Sequence, residues 1–129
     1  MAPISVTLAR RDPAAAVVAL VGEHDAYSSQ RLENELTALL DEGLRIVVDL
    51  RDASFIDSTT LGVLLSARKR AERSGLGFVL VLPPEEHAQV NHILELTRLG
   101  RAFASFTSLD EGLRAARGGQ ATRRPSQVA

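Results

Sequence analysis

Three hydroxyl side chains in succession, Ser58, Thr59 and Thr60, lie between Asp57 and an amphipathic segment that begins at Leu61. A hydroxyl or carboxylate at a helix start accepts hydrogen bonds from backbone N–H groups that have no partner inside the helix. One residue suffices for that task, so the plain reading is an N-terminal cap with spare polar neighbours. Two details go beyond it. Three residues after Ser58 stands Leu61, so no Glu or Gln completes a capping box. Gly62, in the first turn, costs a helix about 1 kcal/mol relative to alanine, the mark of a backbone that something approaches closely.

Other chemistry-bearing residues are dispersed. His24, His87 and His92 form no HExxH pair, and the spacing of His87 and His92 puts them on different helix faces. All three read as solvated surface histidines. The GxSxG elbow, the GxxxxGKS/T phosphate loop and the GxGxxG fingerprint are missing. Gly75-Leu76-Gly77 is a turn between helix and strand, and the carboxylate pairs Asp41-Glu42 and Glu85-Glu86 fall at expected helix ends, where solvation accounts for them. The absence of cysteine excludes disulfides, thiolate metal sites and cysteine nucleophiles. No catalytic residue, metal site or cofactor is assigned, and the chain reads as non-enzymatic.

The elements that position these residues alternate between two periods. Ile4, Val6 and Leu8 alternate with Ser5 and Thr7 as in a half-exposed strand, and Arg10-Arg11-Asp12-Pro13 then reads as a turn. Val17 to Val21 is a continuous apolar run ended by Gly22. Ser28 or Ser29 is expected to cap a helix with the apolar face Leu32, Leu36, Leu39 and Leu40, stopped by Gly43. Ile46-Val47-Val48 and Phe78 to Leu82 are further buried runs, and Phe55-Ile56 returns the chain to the core. The helix after Ser58 carries Leu61, Leu64, Leu65 and Ala71 on one side and Lys69, Arg70, Glu72 and Arg73 on the other. Val90, Ile93, Leu94 and Leu99 predict another helix, Phe103 to Phe106 a short last strand, and Ser108 the cap of a final helix with Leu109 and Leu113.

Runs that stay apolar throughout belong to strands covered on both faces, and strands alternating with helices belong to α/β folds. The order predicts a small mixed sheet of about five strands, mostly parallel, flanked by four helices. Residues 1–116 are expected to form one domain. Residues 117–129 read as a disordered tail, because Gly, Gln, Thr, Arg, Pro and Ser displace the apolar pattern. With 129 residues, net charge −1, no Trp, one Tyr and four Phe, the chain lacks the basic stripe and aromatics of a nucleic-acid binder. The one local basic bias is Arg114, Arg117, Arg123 and Arg124. No apolar run approaches the ~20 residues of a membrane span, and no secretory signal is visible, so a cytoplasmic protein is expected.

Asp57-Ser58-Thr59-x-Leu61-Gly62, following a buried strand and a short loop, resembles the signature loop of STAS domains in anti-sigma factor antagonists. Gly22-Glu23-His24-Asp25 is similar to that family's Gly-Glu-x-Asp turn, and Leu94-Glu95-Leu96-Thr97-Arg98-Leu99 to its Leu-x-Leu-Thr-Gly-Leu segment. The matches run in order from Ile4 to Ala116. The resemblance implies a phosphorylation site at Ser58 and a partner-binding surface of Asp25, Asp57, Ser58, Thr59, Thr60 and Gly62. It implies as partner an anti-sigma factor that is itself a serine kinase and binds the ATP. The unmodified domain would capture that partner and free its sigma factor; phosphorylation would release it. The alternative within the family is a STAS subunit that is never phosphorylated and acts as a fixed interaction module in a transporter or stress-sensing complex. Three positions depart from the pattern: Thr60 stands where glycine is common, leaving Thr59 and Thr60 as alternative acceptors, His24 replaces an apolar residue, and Arg98 a small one.

A phosphoserine carries about −1.5 to −2 charge. At a helix N-terminus that anion is favoured by roughly 0.3–1 kcal/mol, so the fold would tolerate it. Burying the same charge unpaired under a partner would cost on the order of 3–5 kcal/mol, at least a hundredfold in affinity.

Overall fold

The computed structural model describes residues 3–9 and 13–122. The expected turn residues Arg10 to Asp12, and Arg123 and Arg124 with the rest of 123–129, lie outside them. Five strands form the main sheet: β1 (Ile4–Ala9), β2 (Ala15–Leu20), β4 (Arg45–Asp49), β6 (Phe78–Val81) and β7 (Ala104–Phe106), in the spatial order β1-β2-β4-β6-β7. β1 runs antiparallel to β2, and every other pairing is parallel. The helices are α1 (Ala26–Asp41), α2 (Ser58–Arg73), α3 (Gln89–Thr97) and α4 (Leu109–Arg117), with a 3-10 turn at Leu99–Ala102. The expected mixed, mostly parallel sheet with four helices is what the chain forms.

The main core lies on one face of the sheet. Val18, Leu20, Ile46, Val48, Phe78 and Leu80 pack there against Leu32 and Leu36 of α1, Leu61 and Leu64 of α2, and Val90 and Leu94 of α3. The other face, with Val47, Val79, Val81 and Ala104, meets Ala116 of α4. That seam is tight: a Cβ on Gly77 would fall 2.0 Å from the Ala116 carbonyl oxygen, so only glycine fits where β6 begins.

The structure changes or adds to the sequence reading in four places. β1 is an edge strand, so Val6 and Leu8 remain exposed although they alternate correctly. Arg68, which the sequence reading assigns to neither face of α2, joins the apolar one. It is buried on the line of Leu61, Leu64 and Ala71, its guanidinium bonded to Glu72 at 2.7 Å. The expected tail boundary at 116 falls too early: Gln120 and Ala121 are buried, and Phe78 N–H donates to the Gln120 carbonyl at 2.9 Å. A polar composition hid this docking because the backbone makes the bond. Finally, β3 (Gly22–His24) and β5 (Ala53–Ile56) pair in parallel as a separate two-stranded sheet.

Candidate functional site

β3 leads directly into α1 and β5 into α2, so parallel pairing of the two strands sets two helix starts side by side. Asp57 N–H donates to the His24 carbonyl at 3.2 Å and draws the two strand ends together. Each helix is capped by an aspartate. Asp25, rather than the expected Ser28 or Ser29, caps α1: its carboxylate accepts from Tyr27 N–H at 2.9 Å. Ser28 is the third helical residue, and its hydroxyl accepts from Asp25 N–H at 3.2 Å, which closes a capping box. Serine thus does the work usually given to Glu or Gln, so that search pattern misses it.

Asp57 caps α2 in the same way, its Oδ1 accepting from Thr60 N–H at 2.8 Å. Ser58 is therefore the first helical residue and not the cap. Ser58 and Thr59 are exposed. Thr60, expected on the partner face, is fully buried, and its hydroxyl donates to the His24 carbonyl at 3.3 Å. A glycine there would leave that carbonyl without this bond. Gly62 is exposed, and beyond its chain neighbours and the backbone of its own helix no described residue lies within 4 Å of where its Cβ would be. No contact inside the domain requires glycine at this position. A cleft of about 510 Å³ runs between α1 and α2 and includes Thr59, Gly62, Val63 and Ala67, with Leu36 and Leu40 opposite.

His24 is a core residue and not the surface histidine the sequence predicts; His87 and His92 are exposed. Its Nε2–H donates to the Val21 carbonyl at 3.1 Å, which leaves Nδ1 to accept from the Ser28 hydroxyl at 3.2 Å. Burial lowers its pKa below 6.5, with Arg31 acting in the same sense, against the opposing pull of the Val21 carbonyl and Asp25. The ring is neutral near pH 7 and serves as a bracket between β3 and α1. Among the described residues, no group of three or more His, Cys, Asp or Glu is placed to hold a metal ion.

Sequence reasoning missed Gln89, the first residue of α3. Its side-chain oxygen accepts from Ile56 N–H and its NH2 donates to the Ile56 carbonyl, both at 2.9 Å. Nothing in the local sequence marks it, since a single glutamine at a helix start has many uses. Two aromatic side chains are also exposed at this end, Tyr27 in the first turn of α1 and Phe55 on β5.

Residues 7–112 match the STAS domain family model. Over 58 residues the chain is 36% identical to the anti-sigma-B factor antagonist of Bacillus subtilis, covering 45% of this chain and 53% of that protein. It is 34% identical over 67 residues to the protein of the same name from Listeria monocytogenes, covering 51% and 59%. The chain thus spans a little over half the length of these curated relatives. A crystal structure of an anti-sigma factor antagonist from Mycobacterium paratuberculosis superposes with a TM-score of 0.72 at 26% identity, covering 89% of this chain and 95% of that one. Unphosphorylated SpoIIAA shares the fold at a TM-score of 0.67 and 17% identity, covering 87% and 94%. Among the described residues, no helix is long and apolar enough to cross a membrane.

Proposed function

Because this chain belongs to the STAS domain family, we propose that it is an anti-sigma factor antagonist whose binding is controlled by phosphorylation of Ser58. The observation that carries this reading is the contrast in exposure at the paired helix starts. Ser28 and Thr60 are buried and bonded, whereas Ser58 is exposed beside two aspartate caps. Thr59 is exposed too, but the family motif aligns its acceptor with Ser58.

The partner is an anti-sigma factor with serine kinase activity, which supplies the ATP. The relatives' names support the anti-sigma factor; the kinase activity follows from the proposed chemistry. This chain has no catalytic part in the transfer and presents only the hydroxyl. In the unmodified form the partner covers Ser58, Thr59 and the open side of Gly62, with Asp25 and Asp57 at the margin. A phosphoryl group on Ser58 adds about −1.5 to −2 charge. The first N–H groups of α2 and its macrodipole accommodate that charge in the free domain. Under a partner it is buried next to two carboxylates, and affinity falls at least a hundredfold.

The test is to phosphorylate the protein with its cognate kinase, locate the phosphate by mass spectrometry, and titrate the partner before and after. Phosphate on Ser58 with a hundredfold loss of affinity is the expected outcome. Unchanged affinity would refute the switch, and full activity of Ser58→Ala in cells would point to a fixed STAS subunit.

A further inference from the structure

We infer that Gln89 is a positioning residue for Ser58: its side-chain amide replaces a neighbouring strand on the open edge of β5 and fixes the segment that presents the hydroxyl. This rests on the reading of Ser58 as the modified residue.

Successive residues of a strand direct their backbone groups to opposite edges. Asp57 N–H turns toward β3, where it meets the His24 carbonyl. The N–H and C=O of Ile56 turn the other way, to the edge where β5 has no strand partner among the described residues. Ile56 is fully buried, so those two groups are shielded from the water that would otherwise satisfy them. Gln89 supplies both bonds at 2.9 Å, one donor and one acceptor on a planar amide, which is the chemistry of a peptide group. β5 is thus held on one edge by β3 and on the other by a side chain from α3.

The location gives the clamp its consequence. Ile56 is followed by Asp57, the cap of α2, and then by Ser58. β5 is four residues long and its register with β3 is irregular between Gly22 and Glu23, so strand pairing alone is a weak guide. Phosphoryl transfer depends on alignment of the attacking oxygen, and small misplacements lower the rate without weakening encounter. Release of Ile56 therefore slows transfer while leaving the docking surface in place.

The experiment uses the full chain, its cognate kinase and ATP, with the variants Gln89→Met and Gln89→Glu. Met keeps the length and removes both bonds; Glu keeps an acceptor for Ile56 N–H but sets a carboxylate against the Ile56 carbonyl. For Gln89→Met, kcat is expected to fall about tenfold with KM changed less than about threefold, and Ile56 amide exchange to quicken about tenfold. Gln89→Glu should fall between Met and the parent in exchange at Ile56. A Gln89→Met protein with the parent's kcat overturns the inference, whether or not exchange changes. A loss of kcat accompanied by faster exchange across the whole domain also overturns it, since that is general destabilisation. If the parent chain is not phosphorylated at all, the functional reading fails and the positioning role falls with it; exchange then judges only the clamp on Ile56, which unchanged protection of that amide in Gln89→Met refutes.

Discussion

At the start of α1 the hydroxyl of Ser28 is folded into the protein, and at the start of α2 the hydroxyl of Ser58 faces solvent. The two starts share their parts: a short strand, an aspartate cap and a hydroxyl three residues beyond it, Ser28 in one and Thr60 in the other. Both of those hydroxyls are buried around His24, one on its ring and one on its carbonyl. What differs is the pair of residues between. Ala26 and Tyr27 stand where α2 has Ser58 and Thr59. A hydroxyl at a helix start is thus ordinary, and the exposure of two additional ones, Ser58 and Thr59, sets α2 apart.

The comparison breaks most sharply at the exposed position. Ser58→Asp should weaken partner binding by about tenfold or more, while a denaturant titration shows stability within about 0.5 kcal/mol of the parent. A large loss of stability would mean that the two starts are alike after all. Next in size, Ser28→Ala removes the reciprocal bond of the capping box and the partner of His24, and should cost about 1–2 kcal/mol. Ser58→Ala should cost less than about 0.5 kcal/mol in the same urea titration.

A smaller effect follows from His24. Its pKa is lowered from 6.5 in the folded chain, so the unfolded chain takes up a proton at higher pH than the folded one. The stability from the neutral ring is complete above about pH 6.5 and is lost as pH falls from there to the folded value. Urea midpoints of the parent should therefore drop below that pH. In His24→Gln the part of the decline due to this residue should vanish, and an unaltered profile would remove the bracket role. The one stabilising change is Arg98→Gly. Arg98 ends α3 in the left-handed region at φ 59, where a side chain costs roughly 1 kcal/mol. Glycine should raise the melting midpoint, by the equivalent of about 0.5–1 kcal/mol, with partner affinity unchanged. That control separates changes of stability from changes at the paired starts.

The main sheet was legible because Val17 to Val21, Ile46 to Val48 and Phe78 to Leu82 are unbroken apolar runs between helices of clear period. β3 and β5 were not, since strands of three and four residues carry no period to read. Asp25 was singled out by its resemblance to the family motif but not as a cap, because a nearby serine offered the same chemistry. His24 and Thr60 looked like surface groups from their types alone; their burial depends on which strands pair. Gln89 acts on Ile56 across 33 positions, and no local pattern holds such information.

Asp25 and Asp57 lie on either side of α1 and β4 in the chain and are brought together only by the tertiary pairing of β3 with β5. A chain still being synthesised, or one that has lost its tertiary packing, carries every atom of Ser58 but no second aspartate beside it. An enzyme that recognised the two caps together would therefore distinguish the folded chain from an unfolded one.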